Sequence, residues 1–152
     1  MNLRKTLSKE SILLDLRNCT KEGIIEEMID FLTASGKIRE KKDALKAVID
    51  RERKMSTGMQ NGIAIPHGKT DVVDTLVAAI ALKKGGADFG SLDGQPSRIF
   101  VMTLSPDTRT GPHIQFLAEI SRQLNDPTVR EKILNATKSE DVLNALSSPV
   151  GG

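Results

Sequence analysis

Two apolar runs, Leu76–Leu82 and Arg98–Leu104, constrain this chain more than any other feature. A strand with one wet face alternates apolar and polar residues; a run with little alternation is what a central strand shows when both of its faces are covered. The cover must come from elsewhere in the chain, and helical periodicities supply it on both sides. Ahead of the runs, Ile12, Leu13, Leu14 and Leu16 form a short strand candidate. Thr20 then N-caps a helix in which Ile25, Met28, Ile29 and Leu32 recur at helical spacing until Gly36. A second helix is predicted over about Glu40–Lys54, with Leu45, Val48 and Ile49 inward. Behind the runs, Pro112 opens a helix striped by Ile114, Leu117, Ile120, Ser121 and Leu124. Asp126-Pro127 starts another, Pro127 to Asn135, and a last one capped by Ser139 buries Val142, Leu143 and Leu146. Turns are expected at Lys83-Lys84-Gly85-Gly86 and Asp93-Gly94, and a frayed end at Ser147–Gly152. Helices at both ends with strands between them give an α/β sandwich around a mostly buried sheet.

The length of 152 residues suits one domain, taken as 1–152 with a core over about 11–146. Composition removes several function classes. The charge of +2, from 22 bases and 20 acids, is far from the positive field of a general nucleic-acid binder. With no Trp, no Tyr and four Phe, platforms for base stacking are nearly excluded too. The single Cys19 forms no internal disulfide and suits a reducing compartment. The charged N-terminus has no apolar signal region, and the longest apolar run is far below the 18 or so residues that span a bilayer. A soluble cytoplasmic protein is expected. Lys37–Lys54 holds eight Lys and Arg against four Asp and Glu, a pattern that usually marks a solvated face.

Gly62-Ile63-Ala64-Ile65-Pro66-His67-Gly68-Lys69-Thr70 superficially looks like a phosphate-cradling P-loop. That motif needs four residues between its glycines, and five stand here. Pro66 also lacks the N–H such a loop would aim at phosphate, and Ile63 and Ile65 favour extended backbone. Ile63–His67 reads instead as a strand that delivers His67 to the mouth of a loop. Pro66 ends the ladder there, and Gly68 permits close approach of another backbone or of a phosphate.

The other histidine, His113, shares a helix face with Leu117, Ile120 and Leu124. It is either a half-buried residue at the core edge or part of a site that uses the free N–H groups of a helix start, which favour an anion. Two imidazoles beside such a start suit phosphate better than a metal. Asp71 and Asp107 are conceivable zinc partners, but no ligand-type spacing links them to the histidines, so no metal and no cofactor is expected. Cys19 has no activating surroundings in sequence.

These residues resemble a known family, the enzyme IIA domains of the fructose, mannitol and nitrogen-regulatory class of the bacterial phosphoenolpyruvate-dependent phosphotransferase system. The resemblance is carried by Arg51-Glu52-Arg53, Ser56-Thr57-Gly58, Asn61-Gly62-Ile63-Ala64-Ile65-Pro66-His67, Leu104-Ser105-Pro106, and His113 with Leu117-Ala118-Glu119-Ile120. It covers roughly Ser11–Leu146, with Gln60 standing where a third loop glycine is common. It implies a single-domain α/β fold with a central mixed β-sheet flanked by helices on both faces. By motif position it implies His67 as the acceptor of a phosphoryl group from the phosphocarrier HPr, with His113 and Arg51 supporting it. Loop N–H groups near Thr57 and Gly58, together with Gly68 and the helix start at Pro112, are then candidates for phosphate-binding support. Onward transfer goes to a sugar-specific IIB component of fructose or mannitol type. The alternative is a nitrogen-regulatory phosphoprotein acting on regulatory partners. The basic run gains a second reading, as a rim attracting anionic partners.

Overall fold

The computed structural model, which describes residues 2–108 and 110–146, sets the two apolar runs side by side at the centre of a five-stranded sheet. The strands are β1 (Ile12–Leu13), β2 (Ile63–Ala64), β3 (His67–Lys69), β4 (Val77–Ala87) and β5 (Ser97–Ser105). The helices are α1 (Lys21–Ala34), α2 (Lys41–Lys54), α3 (Thr110–Leu124), α4 (Pro127–Leu134) and α5 (Ser139–Leu146). Strand order is β1-β4-β5-β2, and β3 continues along the same edge of β5 as β2. The β4–β5 pair is antiparallel and the other pairs are parallel, so the sheet is mixed.

Alternation along the central pair divides the core in two. Ala79, Ala81, Phe100, Met102 and Leu104 pack with Ile24, Ile25, Met28 and Val48 of α1 and α2. Ala78, Ile80, Leu82, Ile99 and Val101 pack with Phe116, Ile120, Ile133 and Val142 of α3, α4 and α5. The stretches Ala78–Leu82 and Ile99–Leu104 therefore lack a wet face, which is why their sequences hardly alternate.

The helix boundaries follow from capping. Thr20 accepts a hydrogen bond from the Gly23 N–H at 3.1 Å, and Gly36, at φ +79°, lies just past the end of α1. Asp126 caps α4 through the Thr128 N–H at 2.9 Å, with Pro127 in the first turn.

Four expectations need correction. Lys83–Gly86 is strand and not turn: β4 runs on to Ala87, with its register irregular between Leu82 and Ala87. Gly86, at φ +78°, permits that irregularity, which is the usual meaning of glycine inside a strand. Helix α3 begins at Thr110, two residues before Pro112, because a missing N–H costs nothing anywhere in a first turn. Ile114 is 64% exposed and Phe116 takes the core position. Ser139 is the first residue of α5, and the Asp141 carboxylate accepts from the Thr137 and Lys138 N–H groups in place of a serine cap. Ser147–Gly152, expected to fray, lies outside the described residues.

Candidate functional site

The segment expected as one strand from Ile63 to His67 forms two, because Ile65-Pro66 interrupts the ladder and His67 resumes it. β3 pairs with β5 in the register His67↔Thr103, Gly68↔Leu104, Lys69↔Ser105. Side chains alternate along a strand, so His67 and Lys69 share one face and Gly68 takes the other.

The Gly68 face lies against α2. A Cβ there would stand 3.0 Å from the Ala47 carbonyl carbon and the Val48 nitrogen, so glycine is what lets the helix backbone rest on the strand. Close approach of another backbone, one of the two uses expected of Gly68, is present.

On the opposite face, His67 meets His113. The ring centroids are 5.6 Å apart and tilted by 55°. His67 Nδ1 is 2.9 Å from the Ile65 carbonyl oxygen. A carbonyl only accepts, so Nδ1 carries the proton, and in the neutral ring Nε2 keeps its lone pair. His113 is 7% exposed, and its Nε2 is 2.8 Å from Oγ1 of buried Thr103. Burial first, then the electrostatic influence of His67 and Lys69, holds the His113 pKa below the ordinary histidine value. A buried, neutral imidazole thus stands beside an imidazole that keeps a lone pair on Nε2.

Arg51 lies one turn beyond Ala47 on α2, the helix that rests on β3, and its guanidinium donates to the Met55 carbonyl at 2.8 Å. It makes no hydrogen bond to either imidazole. Thr57 is committed elsewhere: its N–H donates to Glu52 Oε2 at 2.8 Å and its hydroxyl to Glu52 Oε1 at 2.6 Å. The Gly58 N–H donates to Ser56 Oγ at 3.1 Å, and a Cβ at Gly58 would lie 2.9 Å from the Phe89 carbonyl oxygen. Both loop residues therefore spend their N–H groups on holding the loop. His67 and His113 are brought together; Thr57 and Gly58 stand behind them.

Three residues of this site carry no role in the sequence reading. Lys69 shares the face of His67 and adds positive charge to it; its place two residues after the histidine was the available signal. Thr103 is visible only once the β3–β5 register is known. Glu52 lies inside the basic run, where a lone acid reads as surface, yet it is 5% exposed and pairs with Lys21 at 2.9 Å.

Four of the eight basic residues of the run pair with acids. Arg39 pairs with Asp74, Lys41 with Glu26 and Asp30, Lys46 with Asp50, and Arg53 with Glu22. Among the described residues no group of three or more His, Cys, Asp or Glu side chains could hold a metal ion, and no helix is long and apolar enough to cross a membrane.

The chain as a whole has counterparts among known proteins. The family profile described as phosphoenolpyruvate-dependent sugar phosphotransferase system, EIIA 2, matches residues 5–148. The chain is 37% identical over 141 residues to the PTS system fructose-specific EIIA component of Haloferax volcanii, covering 93% of this chain and 92% of that protein. Its fold is similar, with TM-score 0.86 and 26% identity, to the nitrogen regulatory protein IIA-Ntr of Neisseria meningitidis, over 93% of this chain and 97% of that one. It is also similar to the enzyme IIA of mannitol transport from Escherichia coli in complex with phosphorylated enzyme IIB, with TM-score 0.78 and 26% identity, over 92% of this chain and 96% of that one.

Proposed function

Because the chain belongs to the EIIA type 2 family of the phosphoenolpyruvate-dependent sugar phosphotransferase system, we propose that it accepts a phosphoryl group on His67 Nε2 from phosphorylated HPr and passes it to a sugar-specific IIB component. The observation that carries this reading is the tautomer: the Ile65 carbonyl accepts a hydrogen bond from Nδ1–H, which leaves Nε2 with its lone pair as the nucleophile. In the transfer, the Nε2–P bond forms as the bond from phosphorus to the donor imidazole breaks, and the electron pair returns to the donor ring. No general base is needed, since the attacking nitrogen bears no proton. What remains is placement and charge. Lys69 shares the face of His67 and its charge reaches His113, and Arg51 can exchange the Met55 carbonyl for two phosphoryl oxygens, a pairing that suits its planar donor fork. Neutral His113 keeps one N–H, which can donate to a phosphoryl oxygen.

A protein substrate also fits the surroundings. Met55 is 70% exposed, Met59 39%, Leu92 72% and Ile114 64%, and two of these adjoin the Arg51 helix end and His113. Large exposed apolar side chains beside a site favour docking of a macromolecule. The sugar-transport reading is supported by the 37% identity to the fructose-specific component over nearly the full length of both chains. The second reading, a nitrogen-regulatory phosphoprotein acting in the cytoplasm on regulatory partners, is favoured by the likeness of fold to IIA-Ntr at TM-score 0.86.

The test is incubation with phosphoenolpyruvate, enzyme I and HPr. An acid-labile label on wild type that is lost in His67→Ala is the expected result; no label, or a label that survives the substitution, overturns the assignment. Passing the labelled protein to purified fructose- or mannitol-type IIB then separates the two readings, since only the transport reading requires onward transfer.

A further inference from the structure

Glu52 has no part in the reading above, yet it is the best-connected buried acid among the described residues. It follows Arg51 on α2, faces inward at 5% exposure, and every polar neighbour it has is a donor. Thr57 gives it an N–H at 2.8 Å and a hydroxyl at 2.6 Å, and Lys21 gives an ammonium at 2.9 Å. Lys21 also reaches Ser56 Oγ at 3.3 Å and stands 4.9 Å above the Phe89 ring. Ser56 Oγ in turn donates to the Phe89 carbonyl. One carboxylate thus ties the first residue of α1, the end of α2 and the Ser56–Gly58 loop together. Buried charge of this kind is costly unless every lone pair is matched, and here the matches converge on Thr57.

From Thr57 the connection continues to the imidazole. The Thr57 carbonyl accepts the Ile65 N–H at 3.1 Å, and the Ile65 carbonyl accepts the His67 Nδ1 proton at 2.9 Å. Gly58 bridges Ala64 beside it. Ile65 lies between β2 and β3, outside the ladder to β5, and the Thr57 carbonyl holds its N–H. Its carbonyl belongs to the next peptide and is separated from that anchor only by the torsions of Ile65, and beyond it the Thr103 N–H holds the Pro66 carbonyl. If Ile65 loses that anchor and its torsions shift, its carbonyl leaves Nδ1, and a free imidazole in water prefers its proton on Nε2, the nitrogen that must stay bare.

We propose that Glu52 is a positioning residue for phosphoryl transfer at His67, acting through Thr57 and Ile65 to hold the imidazole as its Nδ1–H tautomer. This rests on His67 Nε2 being the acceptor, but the tautomer is measured on the unphosphorylated protein, so the two ideas fail separately.

With only two histidines, a long-range proton–nitrogen spectrum of the ¹⁵N-histidine-labelled protein resolves both rings. Wild type should show His67 protonated on Nδ1. Glu52→Ala removes all three acceptor contacts and should shift His67 toward the Nε2–H form, with labelling by phosphorylated HPr slowed about tenfold or more, as small misplacements at a reacting centre do. Glu52→Gln keeps an oxygen for the Thr57 N–H, and the Thr57 hydroxyl can turn to accept from the amide, so it should restore the tautomer in part. A role confined to stability would lower the unfolding midpoint of Glu52→Ala while leaving the His67 spectrum and the labelling rate of the folded fraction unchanged, and that outcome overturns the proposal. Should Glu52→Ala fail to fold, Thr57→Ala, which removes only the hydroxyl bond, serves as the readable variant. An intermediate shift of the His67 tautomer supports the relay, and a wild-type spectrum with a wild-type rate refutes it.

Discussion

At the scale of single residues, the site depends on which protons its two imidazoles carry. His113 is buried against Thr103, and burial together with the electrostatic influence of His67 and Lys69 keeps its pKa below the ordinary value. In the unfolded chain it returns to about 6.5. Between the lowered value and about 6.5 the unfolded state therefore binds more protons than the folded one, so stability rises with pH across that window and is flat above it. Urea midpoints of wild type should fall between about pH 7.5 and about pH 5.5 by more than those of His113→Gln, which keeps a partner for Thr103 but does not titrate. Equal slopes for the two proteins would show that His113 is not held neutral by the fold. Ser105 offers a second test on the same strand. Its hydroxyl is buried with no hydrogen-bond partner, a condition that costs about 1–3 kcal/mol when the desolvation is complete. Ser105→Ala should raise the unfolding free energy by about 1 kcal/mol and leave labelling of His67 intact. A loss of stability would mean the hydroxyl is satisfied in solution.

At the scale of elements, what decides the site is the seating of α2 on β3. Gly68 is the contact point, with the Ala47 carbonyl carbon and Val48 nitrogen 3.0 Å from where its Cβ would be and the Ala47 Cβ at 3.2 Å. Backbone atoms cannot move aside as a side chain does, so Gly68→Ala should cost about 1–3 kcal/mol through overpacking. It should also carry Arg51, one turn along the same helix, away from β3. The expectation is a lower urea midpoint together with slower labelling by phosphorylated HPr; a variant that loses stability but labels at the wild-type rate would remove α2 seating from the mechanism. Much at this scale was legible in sequence, because capping residues and apolar periodicity act locally: Thr20, Asp126 and the two central runs each announced an element that formed. What was hidden depends on register or on distant neighbours. Gly85-Gly86 looks like a turn until β5 is seen to continue the pairing, and Ile114 fits the helical stripe although Phe116 is the residue that α3 buries. His67 could be singled out because a histidine between Pro66 and Gly68 makes poor core filling. Glu52 could not, since nothing local distinguishes a buried carboxylate from an exposed one among basic neighbours; only the return of Thr57 and Lys21 to the same point makes its burial tolerable.

At the scale of the whole molecule, the sheet is a partition with a core on each side, and the site sits where its edge strand meets helices from both. One core joins α1 and α2 to Ala79, Ala81, Phe100, Met102 and Leu104; the other joins α3, α4 and α5 to Ala78, Ile80, Leu82, Ile99 and Val101. Neighbouring residues of β4 and β5 thus belong to opposite cores, so neither core can melt without stripping the same two strands of one covered face. This argues for one cooperative transition and not two. Ile25→Ala in the first core and Ile133→Ala in the second both empty fully buried positions, at 0% exposure each, and should each cost about 2–5 kcal/mol. With no Trp or Tyr to report by fluorescence, the probes are far-ultraviolet circular dichroism and methyl resonances assigned to each side. In urea, both variants should show coincident curves from the two probes and the slope of wild type. Methyl groups of the α1–α2 side melting before those of the α3–α5 side in Ile25→Ala would show the partition to be a boundary between independent units. In that case His67 and His113, on the α3 face, would hold their spacing while Arg51 and the Glu52 contacts were lost with α2.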